Sequence, residues 1–197
     1  MSSRTTRFLA SSVFAAALLA CGAAHANLVT NGGFETGDFT GWTTAVDPAY
    51  DGVDTLAPHD GTYAAFFGNP SGSSITQTIA TVAGSYYKLT FWLQLENDVT
   101  GASAPSAFSY DFGAATGQGA ISNAAGFGYT QFEAVFSAGG PTTDLTFHFS
   151  NTPSFWDLDS VNVVSLPEPG SIALLAAAGL AGIAAGRRRK VMASPST

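Results

Sequence analysis

The 197-residue chain is short of three things: it has one cysteine, 7 lysines and arginines together, and 3 histidines. The cysteine, Cys21, lies in an N-terminal stretch with Arg4 and Arg7, an uncharged run from Phe8 to Ala20, and a small-residue segment ending Ala24-His25-Ala26. That order of charge, short apolar core and A-x-A site is what signal peptidase reads, and the core is too short to span a bilayer. Residues 1–26 are therefore expected to be a signal peptide and the mature chain to begin at Asn27. The alternative is that Leu18-Leu19-Ala20-Cys21 acts as a lipobox and carries a lipid on Cys21. On the A-x-A reading the mature domain has no thiol, which excludes disulfides, cysteine-ligated zinc and a cysteine nucleophile.

Positive charge is scarce in a patterned way. Arg4 and Arg7 belong to the leader and Arg187 to Lys190 to the tail, so between Asn27 and Ser165 only Lys88 is basic. All acidic residues but Glu168 fall in that interval, 13 against 1, for a net charge near −12. Such a surface repels nucleic acid and anionic lipid. It suits calcium, a neutral sugar, or plain solubility. Histidine scarcity bears on catalysis: only His59 and His148 remain after the leader, and neither stands in a G-x-S-x-G or H-E-x-x-H setting. Asp157 and Asp159, two apart on an expected strand, would lie about 6.5 Å from each other on one face. That is compatible with the two carboxyls of glycoside hydrolysis, but such spacing is common among acids that do no chemistry.

The tail begins Leu166-Pro167-Glu168-Pro169-Gly170, continues as an apolar run from Ser171 to Gly186, and ends in Arg187-Arg188-Arg189-Lys190 with residues 191–197 beyond. As a helix the run would reach about 24 Å, short of the ~30 Å hydrocarbon core, with the arginines snorkelling to make up the difference. The positive-inside rule keeps the basic cluster in the cytoplasm and places everything before Pro167 outside. Pro-Glu-Pro, a short Ala/Gly/Leu-rich span and a basic cluster, in that order over residues 166–190, resemble the PEP-CTERM sorting signal. The resemblance implies processing by an exosortase, a membrane protease of Gram-negative bacteria that make exopolysaccharide, with Pro167, Glu168, Pro169, Arg187, Arg188 and Arg189 as the signal's key residues.

Residues 27–165 are enough for one domain with a buried core. Short apolar alternations separated by Gly, Pro, Asn and Ser read as strands. In Tyr86 to Glu96 the residues Leu89, Phe91, Leu93 and Leu95 share one face, and Lys88, Thr90, Trp92 and Gln94 the other. Phe132, Ala134 and Phe136 repeat the pattern, as do Leu145, Phe147 and Phe149. Further strands are expected at 28–30, 42–46, 63–67, 74–80, 107–112 and 156–164. Nine strands without disulfides predict an all-β, jelly-roll β-sandwich. Residues 101–105 and 113–128 read as loops, and Asp47 to Asp54 as a solvated acidic loop.

The opening NLVTNGGFETGDFTGW, Asn27 to Trp42, with the closing WDLDSVNVV, Trp156 to Val164, resembles the galactose-binding-like sandwiches that include several carbohydrate-binding modules. The resemblance implies that Glu35 and Asp159 help hold a structural Ca²⁺ ion, completed by backbone carbonyls; the plain alternative is that these acids cap turns. For a sugar, Trp92 on the polar phase of its strand offers a flat ring, with Gln94 and Lys88 to bond hydroxyls. Tyr50, Tyr63 and Tyr129 are further candidates, whereas Trp42 and Trp156 are expected in the core. The expectation is an exported, non-catalytic protein of the cell surface or exopolysaccharide matrix that binds polysaccharide. A matrix protein without a specific ligand and a polysaccharide hydrolase are the alternatives.

Overall fold

The computed structural model describes residues 26–97 and 105–167. Residues 1–25 of the leader, residues 98–104, and Glu168, Pro169 and Arg187 to Arg189 of the sorting signal lie outside the described residues. One compact unit runs from His25 to Leu166; the other comprises Met1–Ala24 and Pro167–Thr197, of which only Pro167 is described.

The described chain is all-β: β1 (Thr43–Ala45), β2 (Asp51–Asp54), β3 (Ala64–Phe67), β4 (Ser73–Ala80), β5 (Tyr86–Leu95), β6 (Ala107–Phe112), β7 (Ala115–Ser122), β8 (Phe127–Ser137), β9 (Thr142–Ser150) and β10 (Trp156–Ser165). They form two five-stranded sheets, ordered β1-β4-β9-β6-β7 and β2-β3-β10-β5-β8. Every pairing within them is antiparallel. This is a jelly-roll sandwich, and alternation explains it. Leu89, Phe91, Leu93 and Leu95 of β5 are buried against Leu145, Phe147 and Phe149 of β9 and Phe108 and Tyr110 of β6. Trp42 and Trp156 are buried in the same core.

Three stretches differ from expectation. Residues 28–30 form no strand, although the Leu28 amide donates to the Val163 carbonyl. The acidic stretch 47–54 is not simply solvated: Asp51 is buried and opens β2, accepting from the Asp47, Gly68 and Asn69 amides and the Ser73 hydroxyl. Residues 115–122, expected as loop, form β7. It is an edge strand that pairs only with β6 through two register shifts and bends at Gly117 and Gly119, both with positive φ. An edge strand with so few core contacts needs no apolar alternation, so its sequence carries none.

Candidate functional site

Two polar surfaces stand out, one on the outer face of each sheet. On the β2-β3-β10-β5-β8 sheet, Trp92 and Gln94 point outward, opposite Asp159 and Asp157 of β10. Trp92 is half-buried, because the loop between β2 and β3 folds over it. The His59 ring stacks on the indole with centroids 3.9 Å apart, and Tyr129 meets His59 edge-on at 5.2 Å. The Tyr129 hydroxyl donates to the Ala57 carbonyl at 2.6 Å. Gln94 Nε2 donates to Asp157 Oδ2 at 3.1 Å, and Lys88 pairs with Glu133 at 3.5 Å. Trp92, Gln94 and Lys88 thus share a face, but each already has a partner. Tyr129, and neither Tyr50 nor Tyr63, joins the ring cluster over Trp92; Tyr63 lies against Gly37.

The carboxyls beneath that loop are electrostatically loaded. Burial, then the neighbouring charge of Glu96, pushes the Asp157 carboxyl up to about 7, partly offset by the Gln94 hydrogen bond. Burial and then Asp54 push Glu96 up as well. Asp159 is raised by burial, which outweighs the backbone N–H donors of Asp60, Ser160 and His59. Tyr129 is held protonated by burial and the surrounding acids.

Glu35 and Asp159 grip the same loop from two sides. Asp159 Oδ2 accepts from the amides of His59 and Asp60, at 2.9 and 3.0 Å. Glu35 accepts from the amides of Thr62 and Tyr63. Gly61 between them leaves room for the Glu35 carboxylate, since a Cβ there would lie 2.3 Å from Oε1. Although 124 chain positions separate them, the two come together beside Gly33, and both offer hard oxygens of the kind Ca²⁺ takes. Among the described residues no group of three or more His, Cys, Asp or Glu side chains is arranged to hold a metal ion, so an ion here would draw its further ligands from backbone oxygens or water.

The second surface is a groove of about 610 Å³ across the β1-β4-β9-β6-β7 sheet. Register aligns two rows over neighbouring strands: Ala45, Ser74, His148 and Ser109, and next to it Thr43, Thr76, Thr146 and Asp111. The side chains are mostly small hydroxyl carriers. Thr76 and Thr146 hydroxyls bond at 2.9 Å, and His148 Nε2 meets Asp111 Oδ2 at 3.0 Å. Asp111 Oδ1 also accepts the Gly117 amide at 2.7 Å. In sequence His148 reads as one more outward strand residue; only strand order puts it between Ser74 and Ser109.

Residues 165–190 match the PEP-CTERM protein-sorting motif. The motif marks the chain for export with a membrane-anchored sorting signal. No curated protein matches the sequence. Among solved structures the chain is similar to TmCBM61 in complex with β-1,4-galactotriose, at 18% identity and a TM-score of 0.53, covering 72% of this chain and 99% of that one. It is similar to the CBM22-1 xylan-binding domain from Paenibacillus barcinonensis Xyn10C, at 13% identity and a TM-score of 0.50, covering 74% and 97%. The enzymatically active domain of bacteriophage CBA120 tailspike protein 4 also matches, at 18% identity and a TM-score of 0.53, over 71% of this chain and 21% of that one. The sandwich therefore has the fold of carbohydrate-binding modules.

Proposed function

We propose that this is an exported carbohydrate-binding protein that acts without catalysis and takes a neutral polysaccharide chain in the groove on the β1-β4-β9-β6-β7 sheet. The observation that carries the reading is the pair of hydroxyl rows crossing that sheet, with the His148 and Asp111 pair at their centre. The groove itself is lined by Ser71, Ser74, Ser109, Ser122 and His148 among small apolar residues, and the row from Thr43 to Asp111 flanks it. Hydroxyls, an imidazole and a carboxylate are the groups that bond sugar hydroxyls. In a domain as acidic as this one, Asp111 engages His148, which favours an uncharged ligand over an anionic one. The galactan and xylan ligands of the similar structures are the first to test. Retention of the isolated domain on these polysaccharides in affinity electrophoresis, lost in His148→Ala and in a groove-filling Ser109→Trp, is the expected result. No retention on any polysaccharide would favour a matrix protein without a specific ligand, and hydrolysis would favour a glycosidase.

Processing belongs to the same proposal. Signal peptidase would leave Asn27 first, and an exosortase of a Gram-negative host would remove the tail, releasing the domain to the cell surface or exopolysaccharide matrix. Mass spectrometry of the mature chain in such a host should find Asn27 at the N-terminus and no Ser171 to Lys190. A Ca²⁺ ion held by Glu35 and Asp159 completes the reading; it would fasten the loop over Trp92 to the first and last segments of the domain.

A further inference from the structure

Three of the four edge strands of the sandwich are poor templates for further pairing. β1 has three residues and β2 four, and β7 is interrupted by two register shifts, with Gly117 and Gly119 at positive φ. Short strands and bulges are how sheet proteins blunt their edges. β8 has neither protection on its free side. It runs for eleven residues without proline or positive φ, and among the described residues it pairs with β5 alone.

The register shows which backbone groups of β8 are left over. The Leu166 amide donates to the Tyr86 carbonyl and the Glu96 amide to the Phe155 carbonyl, so even-numbered residues of β5 turn their backbone toward β10. Odd-numbered ones turn toward β8, as the bond from the Ala138 amide to the Ser85 carbonyl shows just before the strand begins. From Tyr86 opposite Ser137 to Leu93 opposite Thr130 the ladder is regular. Gln131, Glu133, Val135 and Ser137 therefore point their N–H and C=O groups away from the sheet, and their side chains are exposed. Phe132, Ala134 and Phe136 lie on the other face, half-buried against the core. A groove of about 900 Å³, lined by Phe112, Ala115, Val135 and Phe136 among others, opens beside the end of the strand.

Charge indicates what this edge can meet. Two copies of so acidic a domain repel one another over most of their surface. β8 carries one charge, Glu133, and the only basic side chain between Asn27 and Ser165, Lys88 on the neighbouring strand, pairs with it at 3.5 Å. The edge is thus locally neutral and fits a second copy of itself. Outward backbone groups must meet outward groups, which restricts the axis of an antiparallel pair. An axis at Glu133 would set carboxylate against carboxylate, which is destabilising. An axis at Ala134 keeps the pairing within the regular run. Gln131 then faces Ser137 of the second copy, Glu133 faces its Val135, and Phe132 faces its Phe136 across the inner side.

We propose that β8 pairs with β8 of a second copy about a two-fold axis at Ala134, joining two five-stranded sheets into one continuous sheet. The pairing does not depend on the groove of the other sheet binding sugar, and it is tested apart from it. The test uses the full-length chain with Cys21→Ser in detergent, oxidised after introducing one cysteine at a time. At the axis the two Ala134 Cα atoms would stand about 4.5 Å apart, within disulfide reach. The two Ser137 Cα atoms would be roughly 20 Å apart. Ala134→Cys is expected to give a disulfide-linked dimer in several-fold higher yield than Ser137→Cys. Adding Val135→Glu, which sets a second carboxylate opposite Glu133 at an exposed position, should lower that yield several-fold, whereas Val135→Lys should preserve it. Equal yields from Ala134→Cys and Ser137→Cys, or none from either, would overturn the proposal. So would an Ala134→Cys yield that Val135→Glu leaves unchanged, since a dimer made by the tail would be indifferent to charge on β8. Far-ultraviolet circular dichroism of the Val135 variants separates a lost contact from a lost fold; if Val135→Glu unfolds, Val135→Asn, equally polar but uncharged, must keep the yield.

Discussion

His59 lies flat on Trp92, with ring centroids 3.9 Å apart and planes within 18° of parallel. This one contact turns the outward tryptophan of β5 into the floor of a small second core, closed by Tyr129 and held down by Asp159 through the His59 amide. Trp92→Ala should therefore cost stability, roughly 2 to 4 kcal/mol by urea unfolding, because it removes the indole and leaves the His59 ring without the surface it packs on. Polysaccharide retention should survive in the folded fraction. Loss of retention with unchanged stability would instead return the sugar surface to Trp92, Gln94 and Lys88.

The N-G-G-F-E segment should tolerate no side chain at its first glycine. A Cβ on Gly32 would stand 2.0 Å from the Val161 carbonyl oxygen, a backbone atom in the last strand, while the Gly32 carbonyl accepts the Val161 amide. Gly32→Ala is expected to destabilise by more than about 3 kcal/mol or to abolish folding, since backbone cannot yield as a side chain can. Gly84→Ala, in open space but at positive φ, should cost only about 1 kcal/mol. Thermal unfolding of the two variants checks the contrast.

Stability should fall as pH rises from about 4 to about 7. The folded domain keeps a proton on Asp157 up to about 7, where the unfolded chain has already lost it. Folding therefore binds a proton in that window, and its stabilisation is present in acid and lost above it, by up to roughly 4 kcal/mol. Glu96 is shifted in the same direction. Asp157→Asn keeps an acceptor for Gln94 and removes the charge, so its unfolding midpoint should depend less on pH and exceed that of the unmodified domain above neutrality.

Calcium should raise the unfolding midpoint by several degrees over that in EDTA, on the order expected for ~1 to 3 kcal/mol of binding energy in a domain of this size. Glu35→Gln should abolish the response. A midpoint indifferent to both additions would leave Glu35 and Asp159 with the loop amides as their whole role.

Alternation in Tyr86 to Leu95 and in Thr142 to Ser150 determined by itself which residues became core, because a strand between two others must bury one face and its period is fixed at two. Composition likewise separated an acidic domain from basic ends, and Pro167 to Lys190 announced the sorting signal by the order of its parts. The edge strands were hidden, since Ala115 to Ser122 has little to bury and Asp51 to Asp54 is organised by a buried carboxylate that local sequence cannot distinguish from a solvated one. The candidate site was hidden for a related reason. Ser74, Ser109, Asp111 and His148 come from three strands that are not consecutive in the chain, and each alone is an ordinary outward residue. Only the pairing of β9 with both β4 and β6 sets them side by side. The phase of Trp92 was legible in its own strand, but its cover came from a loop more than 30 residues earlier in the chain, brought there by hydrogen bonds to Asp159 that form only once the last strand is in the sheet.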